Sequence, residues 1–281
     1  MGTIEQRNIL TRLAEWNIQS GGFESYDSKA ETPQNLLKIQ KGIRRIHASF
    51  ISLIDTYRWD QLYTPKDLQK MFGYKHAYCI NLEDDRLKSL GHNNGITVLS
   101  DLDVENFETI RIGTRNAVKT TLKLNDGFFD IFSVYLDDVR EKTRLEQIRT
   151  LLQHVTPNRR TIIMGDFNCV SDSDMSFIQK NLENLIQKLP KATKTKLHSV
   201  EEKLEHHGAI RFIEAKGFLD TDIKRTANVP THKSSSMVFP FLRLDYVFRT
   251  SGIKIASTKV VRNRLFNQTS DHFPLVVEIK N

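Results

Sequence analysis

Short apolar runs alternate with amphipathic stretches along the chain. Strands are predicted where apolar, β-branched or aromatic residues lie together in runs, and helices where apolar residues recur with the helical period. The predicted strands are Ile9 to Ile18, Phe50 to Ile54, Gly95 to Leu99, Ala117 to Leu124, Asp130 to Leu136, Thr161 to Met164, Leu242 to Phe248 and Pro274 to Ile279. Strands and helices mixed in this order predict an α/β layered fold with sheets at its centre.

The clearest helix is predicted from Arg140 to Val155, because its apolar residues form one stripe and Pro157 ends it. Other helices are predicted from about Pro33 to Ala48, from Asp174 to Leu189 and, as a short one, up to Gly217. The lysine-rich stretch Lys188 to Lys203 is predicted to be a surface loop or a frayed helix. No repeat or Gly/Ser/Pro-rich linker divides the chain, so we predict a single domain over residues 1–281.

The composition is typical of a globular chain. Its 281 residues are 39% hydrophobic and 27% charged, which suffices to bury a core. No apolar run approaches the roughly 20 residues of a membrane helix, and the start of the chain lacks the pattern of a secretory signal. Cys79 and Cys169 have no Cys or His at metal-site spacing, which predicts buried thiols. We expect a soluble, cytoplasmic monomer without a membrane contact, and the sequence indicates no protein partner.

The charge is unevenly distributed. The formal net charge is +7, and between Lys216 and Leu265 there are ten basic residues against three acidic ones, so this basic segment carries the whole excess. Such a cluster attracts phosphate groups through charge and counterion release. It favours a nucleic-acid or phosphorylated ligand, with a solvated basic face as the alternative.

Acidic and amide side chains lie at the ends of the predicted strands, where a rigid scaffold holds functional groups in place. They are Asn17, Asp55, Asp166, Asn168, Asp245 and the pair Asp271-His272. Taken singly, each aspartate is also a common turn former or helix cap. If they converge in space, they form an all-oxygen site suited to Mg²⁺ or Mn²⁺.

Three blocks containing these residues occur in a fixed order. They are Gly165-Asp166-Phe167-Asn168, Leu244-Asp245-Tyr246-Val247-Phe248 and Ser270-Asp271-His272-Phe273-Pro274-Leu275. They resemble the signature blocks of the endonuclease/exonuclease/phosphatase superfamily, which has the DNase I-like fold. Weaker matches at Glu15-Trp16-Asn17-Ile18, Asn94 to Ser100 and Thr143 to Arg149 extend the resemblance over roughly residues 12–279. The resemblance implies a two-sheet α/β sandwich whose strand ends form one metal-dependent site for cleaving phosphate esters.

The resemblance also implies a role for each residue of the blocks. Asn17, Asp55 and Asp271 match the positions of metal ligands. Asp166 would position or activate the attacking water, Asn168 would help to hold the scissile phosphate, and Asp245 would pair with His272. A carboxylate behind an imidazole fixes its tautomer and favours its charged form. A divalent cation and an imidazolium can together neutralise the charge that builds on the phosphoryl oxygens.

Two positions depart from the common pattern of the superfamily. The strand that usually ends in a Gln-Glu pair ends here in Ile54-Asp55. Because aspartate is one methylene shorter, either the metal lies closer to this strand or a water intervenes. Tyr135 lies in a strand where many members have His-Leu, and it is similar to the tyrosine that donates to the phosphate in the abasic-site endonuclease branch. The alternative is that Tyr135 is a core residue whose hydroxyl is hydrogen-bonded to a neighbouring group.

Three further residues are candidates for substrate binding. Arg115 directly precedes a predicted strand, where a guanidinium can bind a phosphate with two hydrogen bonds; a surface salt bridge is the alternative. His232 lies in the basic segment before the strand of Asp245, where we expect a loop that contacts substrate. Asn94 begins the block that ends at Ser100.

Three functional hypotheses follow. The first is a Mg²⁺- or Mn²⁺-dependent nuclease acting on DNA or RNA, because the basic segment adjoins Asp271-His272 in the sequence. The second is a phosphatase or phosphodiesterase acting on an inositol phosphate, a lipid headgroup or another small phosphorylated compound. An enzyme acting at a membrane should carry an exposed apolar hairpin, for which Val238 to Phe241 is the one candidate. The third, a non-catalytic binding module, is disfavoured because the blocks retain their functional residues.

Overall fold

Two six-stranded mixed sheets form the centre of the molecule. A computed structural model describes residues 10–124, 127–175, 208–222, 231–233 and 242–280. Its strands are β1 (Leu10–Asn17), β2 (Phe50–Ile54), β3 (His76–Asn81), β4 (Gly95–Ser100), β5 (Val104–Ile112), β6 (Arg115–Leu124), β7 (Gly127–Tyr135), β8 (Arg160–Asp166), β9 (Leu219–Asp220), β10 (Asp245–Arg249), β11 (Lys254–Val260) and β12 (Leu275–Lys280). The first sheet has the order β11-β12-β1-β2-β4-β3, and the second has the order β5-β6-β7-β8-β10-β9.

Helices cover the outer faces of the sheets. They are α1 (Leu36–Ile46), α2 (Trp59–Leu62), α3 (Pro65–Phe72), α4 (Asp85–Ser89), α5 (Glu141–Gln153), α6 (Gly208–Ala215) and α7 (Arg264–Asn267). One core cluster joins both sheets, with Leu13 and Val277 from the first sheet and Ile131 and Met164 from the second. A second core lies between the second sheet and helices α5 and α6. The predicted two-sheet α/β sandwich is therefore confirmed.

The strand register of the first sheet brings Asn17 and Asp55 to the same end. β1 and β2 run parallel, and Asn17 lies opposite Ile54, the last residue of β2. β12 runs antiparallel to β1, so its first residue, Leu275, lies near this end, opposite Glu15. The Asp271-His272 pair that precedes β12 is thereby delivered to the same edge.

The second sheet delivers its polar residues in a similar way. β8 pairs antiparallel with β10, which sets Asp166 opposite Asp245. β8 also pairs parallel with β7, which sets Tyr135 opposite Asp166. Gly165 allows this close approach: its φ is +142°, and a Cβ at this position would overlap the backbone carbonyl oxygen of Val134.

The apolar pattern predicts the buried strands and misses the exposed ones. β2 has the predicted bounds, and β4, β6, β7, β8 and β12 begin and end within three residues of the prediction. The four edge strands, β3, β5, β9 and β11, were not predicted, and most residues of β5 and β11 are exposed. The helix predicted from Asp174 to Leu189 and the stretch Lys188 to Lys203 lie almost wholly outside the described residues.

Two predictions about the chain as a whole can be compared with the structure. Cys79 and Cys169 are both thiols outside any disulfide, as predicted, and burial raises the pKa of Cys79 to about 12. Cys169 is buried, whereas Cys79 is only partly covered. Among the described residues, no helix combines the length and the apolarity needed to cross a lipid bilayer.

Candidate active site

Asp166 joins the two sheets at the edge where the strand ends meet. Its Oδ2 accepts a 3.0 Å hydrogen bond from Nδ2 of Asn17, and its Oδ1 accepts a 2.8 Å bond from the backbone N–H of Asn168. Asn17 ends β1 in the first sheet, whereas Asp166 ends β8 in the second. With 1% of its surface exposed, Asp166 is held in one orientation by bonds from both sides.

Asp245 and His272 form a buried hydrogen-bonded pair beside Asp166. Nδ1 of His272 lies 2.8 Å from Oδ2 of Asp245, and Nε2 lies 3.8 Å from Oδ2 of Asp166. Burial by itself lowers the pKa of His272, but the charges of Asp245 and Asp166 outweigh it and raise the pKa to about 10. His272 is therefore an imidazolium at neutral pH, and its Nε2–H faces the carboxylate of Asp166.

Asp55 is enclosed by hydrogen-bond donors. Its Oδ2 accepts bonds from the hydroxyl of Tyr26 at 2.5 Å and from the backbone N–H of Ser20 at 2.8 Å, while its Oδ1 accepts a 2.5 Å bond from Nδ2 of Asn94. Its backbone is in the left-handed region, with φ of 61°. Burial is the main cause that raises the pKa of Asp55 to about 7, and the charge of Asp271 adds to it.

Asp271 lies at the more open side of the cluster, beside His232. Its side chain is 26% exposed, and its Oδ2 lies 3.9 Å from Nε2 of His232. The backbone N–H of Asp271 donates to Oε1 of Gln19 at 3.2 Å. The structure thus brings Asn17, Asp55, Asp166, Asp245, Asp271 and His272 to one edge of the sandwich.

The sequence profile of the Endonuclease/Exonuclease/phosphatase family matches residues 14–272. The chain belongs to this family. Members of the family are hydrolases of phosphate esters, and this chain is a hydrolase of the same class. No curated protein sequence matches the chain.

Solved structures of family members share the fold. An AP endonuclease from Archaeoglobus fulgidus has a TM-score of 0.66 at 14% identity, over 95% of this chain and 98% of the other. A 3′ phosphatase from Neisseria, bound to a product DNA hairpin, has a TM-score of 0.66 at 14% identity, over 96% and 100%. A mannosyl-6-phosphatase from Bacteroides thetaiotaomicron has a TM-score of 0.63 at 16% identity, also over 96% and 100%. At such identities the likeness establishes the DNase I-like fold.

The oxygen atoms around Asp55 and Asp271 fit the divalent cation that this family implies. Asp55 and Asp271 supply carboxylates, and the amide Oδ1 of Asn17 accepts only one bond among those described, from the N–H of Gln19 at 3.0 Å. Oδ1 of Asn94 is buried and has no hydrogen-bond partner among the described residues. Hard cations bind carboxylate and amide oxygens, and a cation would also relieve the repulsion between Asp55 and Asp271.

Tyr135 lies at the end of β7, next to these carboxylates. Burial and then the charge of Asp55 raise its pKa well above the ordinary value, so its hydroxyl stays protonated and can donate. The guanidinium of Arg115 lies over its ring, 5.1 Å from the centroid. Asn168 is also drawn into the site, where its Nδ2 donates to the carbonyl of Leu136 at 3.0 Å.

The position of Arg115 in the sequence suggests that it contacts a phosphate, but the structure places it away from the surface of the site. It is fully buried and donates to Oδ2 of Asp84 at 2.6 Å, to Oδ1 of Asp138 at 2.7 Å and to the carbonyl of Leu136 at 2.5 Å. A phosphate could replace these partners only at the cost of uncovering two carboxylates. The alternative of a surface salt bridge is also wrong, because the ion pair with Asp84 is buried.

The basic segment is only partly at the site. Residues 223–230 and 234–241 lie outside the described part. Arg243 is buried and forms two 2.7 Å bonds to Asp220, so it contributes no charge to the rim. Lys254 pairs with Lys280, at the end of β12 away from His272. Lys233 does lie beside the site, since its backbone N–H donates to the carbonyl of Asp271 at 2.8 Å.

Sequence reasoning missed Tyr26 and assigned no role in the site to Glu15. Tyr26 lies in a polar loop without periodicity, and its ring stacks on His92 at a centroid distance of 4.3 Å. Glu15 is fully buried, and neither of its carboxylate oxygens has a hydrogen-bond partner among the described residues. Burial, followed by the charges of Asp245 and Asp166, raises its pKa well above the ordinary value. The sequence did contain a signal for Glu15, because it is a charged residue inside an apolar strand and lies close to Asn17.

Proposed function

We propose that this chain is a Mg²⁺- or Mn²⁺-dependent phosphodiesterase that hydrolyses DNA or RNA. The observation that carries the proposal is the series of contacts at one edge of both sheets: Asn17 donates to Asp166, and Asp166 lies 3.8 Å from His272, which is hydrogen-bonded to Asp245. This series places a carboxylate and an imidazolium next to each other. Hydrolysis of a phosphodiester needs such a pair, because one group takes a proton from water while the other neutralises charge on the phosphate.

Asp166 is assigned to orient the attacking water and to accept its proton. The water oxygen forms a bond to phosphorus, and the ester P–O bond on the opposite side breaks. The bonds from Asn17 and from the N–H of Asn168 hold the Asp166 carboxylate in place for this transfer. The side-chain amide of Asn168 and the protonated hydroxyl of Tyr135 are assigned to hold the scissile phosphate.

His272 is assigned to face the phosphoryl oxygens through its Nε2–H. Its hydrogen bond to Asp245 fixes the ring and maintains its charge. Asn17, Asp55 and Asp271 are the residues that would hold the divalent cation. When bound, that cation supplies positive charge that stabilises the transition state.

A second candidate function is hydrolysis of a small phosphorylated compound, such as an inositol phosphate, a lipid headgroup or a sugar phosphate. Two observations favour it: Arg243 is buried in an ion pair, and Lys254 lies at the far end of the sheet. Both reduce the basic rim expected of a nuclease. The fold of a mannosyl-6-phosphatase is also similar to this one.

The test is hydrolysis of plasmid, single-stranded, abasic and RNA substrates beside bis-p-nitrophenyl phosphate and inositol phosphates, with and without Mg²⁺ and Mn²⁺. Asp166→Ala should lower the rate by about 10²- to 10⁴-fold. Asp101→Ala, which changes an exposed carboxylate away from the site, should leave the rate unchanged. The nuclease hypothesis is supported if the protein cleaves nucleic acid and its affinity for that substrate falls steeply as the salt concentration rises. Activity confined to inositol or sugar phosphates supports the second candidate, and no activity on any substrate overturns both.

A further inference from the structure

The turn after β1 has a left-handed backbone over four consecutive residues. The φ angles are 52° at Gln19, 51° at Ser20, 60° at Gly21 and 81° at Gly22. Glycine adopts such angles without strain, whereas glutamine and serine adopt them only at a cost in free energy. Gln19 is strained further, because its ψ of 113° lies outside the small left-handed region that side chains tolerate. Such strain persists only where the surrounding structure holds the backbone in place.

Two neighbouring segments hold the turn in this conformation. The indole Nε1 of Trp59 donates to the carbonyl of Gly21 at 2.9 Å, and the N–H of Asn35 donates to the carbonyl of Gly22 at 2.9 Å. A Cβ on Gly21 would lie 2.6 Å from the carbonyl oxygen of Tyr57, so the turn packs directly against that backbone. The turn therefore cannot relax without separating from α2 and from the start of α1.

The same turn contacts each residue that is assigned to hold the divalent cation. The N–H of Gln19 donates to Oδ1 of Asn17 at 3.0 Å. The N–H of Ser20 donates to Oδ2 of Asp55 at 2.8 Å. At the more open side of the site, Oε1 of Gln19 accepts a 3.2 Å bond from the N–H of Asp271. One turn thus links the end of β1, the end of β2 and the segment before β12.

Gln19 contacts two of these ligands by different means. Its N–H holds the side chain of Asn17, two residues before it, and its Oε1 holds the backbone of Asp271, 252 residues further along the chain. The side chain of Gln19 is exposed, so it adds nothing to the core of the protein. Backbone strain at a position that the core does not require is typical of binding sites, where it keeps groups in place before a ligand binds.

We propose that Gln19 is a positioning residue of the cation site, whose backbone and side chain hold Asn17 and Asp271 in their binding orientation before the cation binds. The inference rests on the proposed metal-dependent function and deepens it. A site that is arranged in advance loses less conformational freedom on binding, so it binds its ligand more tightly. The strained turn therefore lowers the stability of the fold and raises the affinity for the cation.

The test compares two substitutions at position 19 in the full chain, stripped of metal. Gln19→Ala removes Oε1 and keeps the strained backbone, whereas Gln19→Gly removes Oε1 and relieves the strain. Thermal melts measure stability, and calorimetry measures the dissociation constant for Mg²⁺. The matched controls are Gln153→Ala and Gln153→Gly, because Gln153 is an exposed glutamine in the helical backbone at the end of α5.

Stability and metal affinity should respond differently at position 19. Gln19→Gly should melt about 2 °C or more above Gln19→Ala, because glycine relieves the strain. At position 153 the order should be reversed, since glycine is less stable than alanine in a helix. Both variants at position 19 should bind Mg²⁺ about tenfold or more weakly than the wild type, and neither variant at position 153 should change the affinity.

Two results would overturn the inference. If Gln19→Gly melts below Gln19→Ala, the turn is not strained at this position. If either variant at position 19 binds Mg²⁺ as tightly as the wild type, Gln19 does not position the ligands.

Failure of this inference and failure of the proposed function give different results. A chain that follows the expected order of stability and Mg²⁺ affinity but hydrolyses no phosphate ester retains the role of Gln19 and overturns the function. A chain that hydrolyses phosphodiesters, and whose Gln19→Ala variant keeps full Mg²⁺ affinity, retains the function and overturns the role of Gln19.

Discussion

The hydroxyl of Tyr26 donates a 2.5 Å hydrogen bond to Oδ2 of Asp55, the residue that stands where the family usually has glutamate. Ser20 and Asn94 supply two further donors to the same carboxylate. Since a carboxylate offers about four lone-pair positions, these donors leave about one of them for a metal. We infer that Tyr26 occupies the space that a longer side chain would need, so that the aspartate and the tyrosine form a matched pair.

The first prediction concerns this pair. Asp55→Glu should weaken Mg²⁺ binding by about tenfold, because the longer side chain meets the Tyr26 hydroxyl. The double change Tyr26→Phe with Asp55→Glu should recover most of the affinity. Calorimetry on the metal-free chain measures both. Tyr57→Phe is the control, since it removes a hydroxyl that donates to the backbone of Tyr26 and not to Asp55. If the double variant binds Mg²⁺ no better than Asp55→Glu, Tyr26 and Asp55 are not matched.

The second prediction concerns the charge on His272. Its raised pKa stabilises the fold fully below the ordinary pKa of about 6.5, and this stabilisation is lost as the pH rises through about 10. Asp245→Asn removes the largest favourable charge, so the pKa of His272 should fall, because burial then opposes only the weaker charges of Asp166 and Asp271. NMR titration of the imidazole in the metal-free chain measures the midpoint. If the titration midpoint of His272 is the same in Asp245→Asn as in the wild type, a group other than Asp245 raises the pKa of His272.

The third prediction concerns the buried ion cluster of Arg115. Arg115→Met leaves Asp84 without its cation, which should destabilise the protein by about 3 to 5 kcal/mol at neutral pH. Burial raises the pKa of Asp84, but its hydrogen bond and ion pair with Arg115 outweigh burial and lower the pKa. The stabilisation is therefore present above the ordinary pKa of about 3.8 and is lost as the pH falls through the lowered pKa.

Urea unfolding at several pH values tests the third prediction. The difference between the wild type and Arg115→Met should shrink below about pH 3.8. Arg211→Met is the matched control, because the side chain of Arg211 is 64% exposed in its pair with Asp172. Its effect should be small, because solvent screens an exposed ion pair. A difference for Arg115→Met that does not depend on pH would mean that packing, not charge, accounts for the loss.

The fourth prediction concerns the glycine before Asp166. Gly165→Ala should destabilise the protein by about 3 kcal/mol or more, because the added Cβ would overlap the carbonyl of Val134 at a φ of +142°. Gly252→Ala is the control, since a Cβ there meets nothing within 4 Å, and it should change stability by about 0.5 kcal/mol or less. Thermal unfolding measures both. Equal stability of the two variants would show that β7 and β8 can separate at this point.

Local sequence predicts those parts of the site that depend on strand ends. Asp166, Asp245 and His272 were predicted because each adjoins an apolar run, and in the structure His272 is hydrogen-bonded to Asp245 and lies 3.8 Å from Asp166. Tyr26 could not be predicted, because its loop has no periodic signal and its partner Asp55 lies 29 residues further along the chain. The burial of Arg115 could not be predicted either, since it depends on Asp84 and Asp138, which lie in other segments.

The sequence by itself determined the α/β class, the positions of the buried strands and the family blocks, because apolar periodicity and strand-end residues are local properties of the chain. The tertiary structure decided which side chains meet. Asn17 contacts Asp166 across 149 residues, and Ser270 contacts the carbonyl of Asn17 across 253. It also determined that Arg115 and Arg243 form buried ion pairs and add no positive charge to the rim of the active site. Such contacts depend on strand register and on the packing of two sheets, which no stretch of sequence encodes alone.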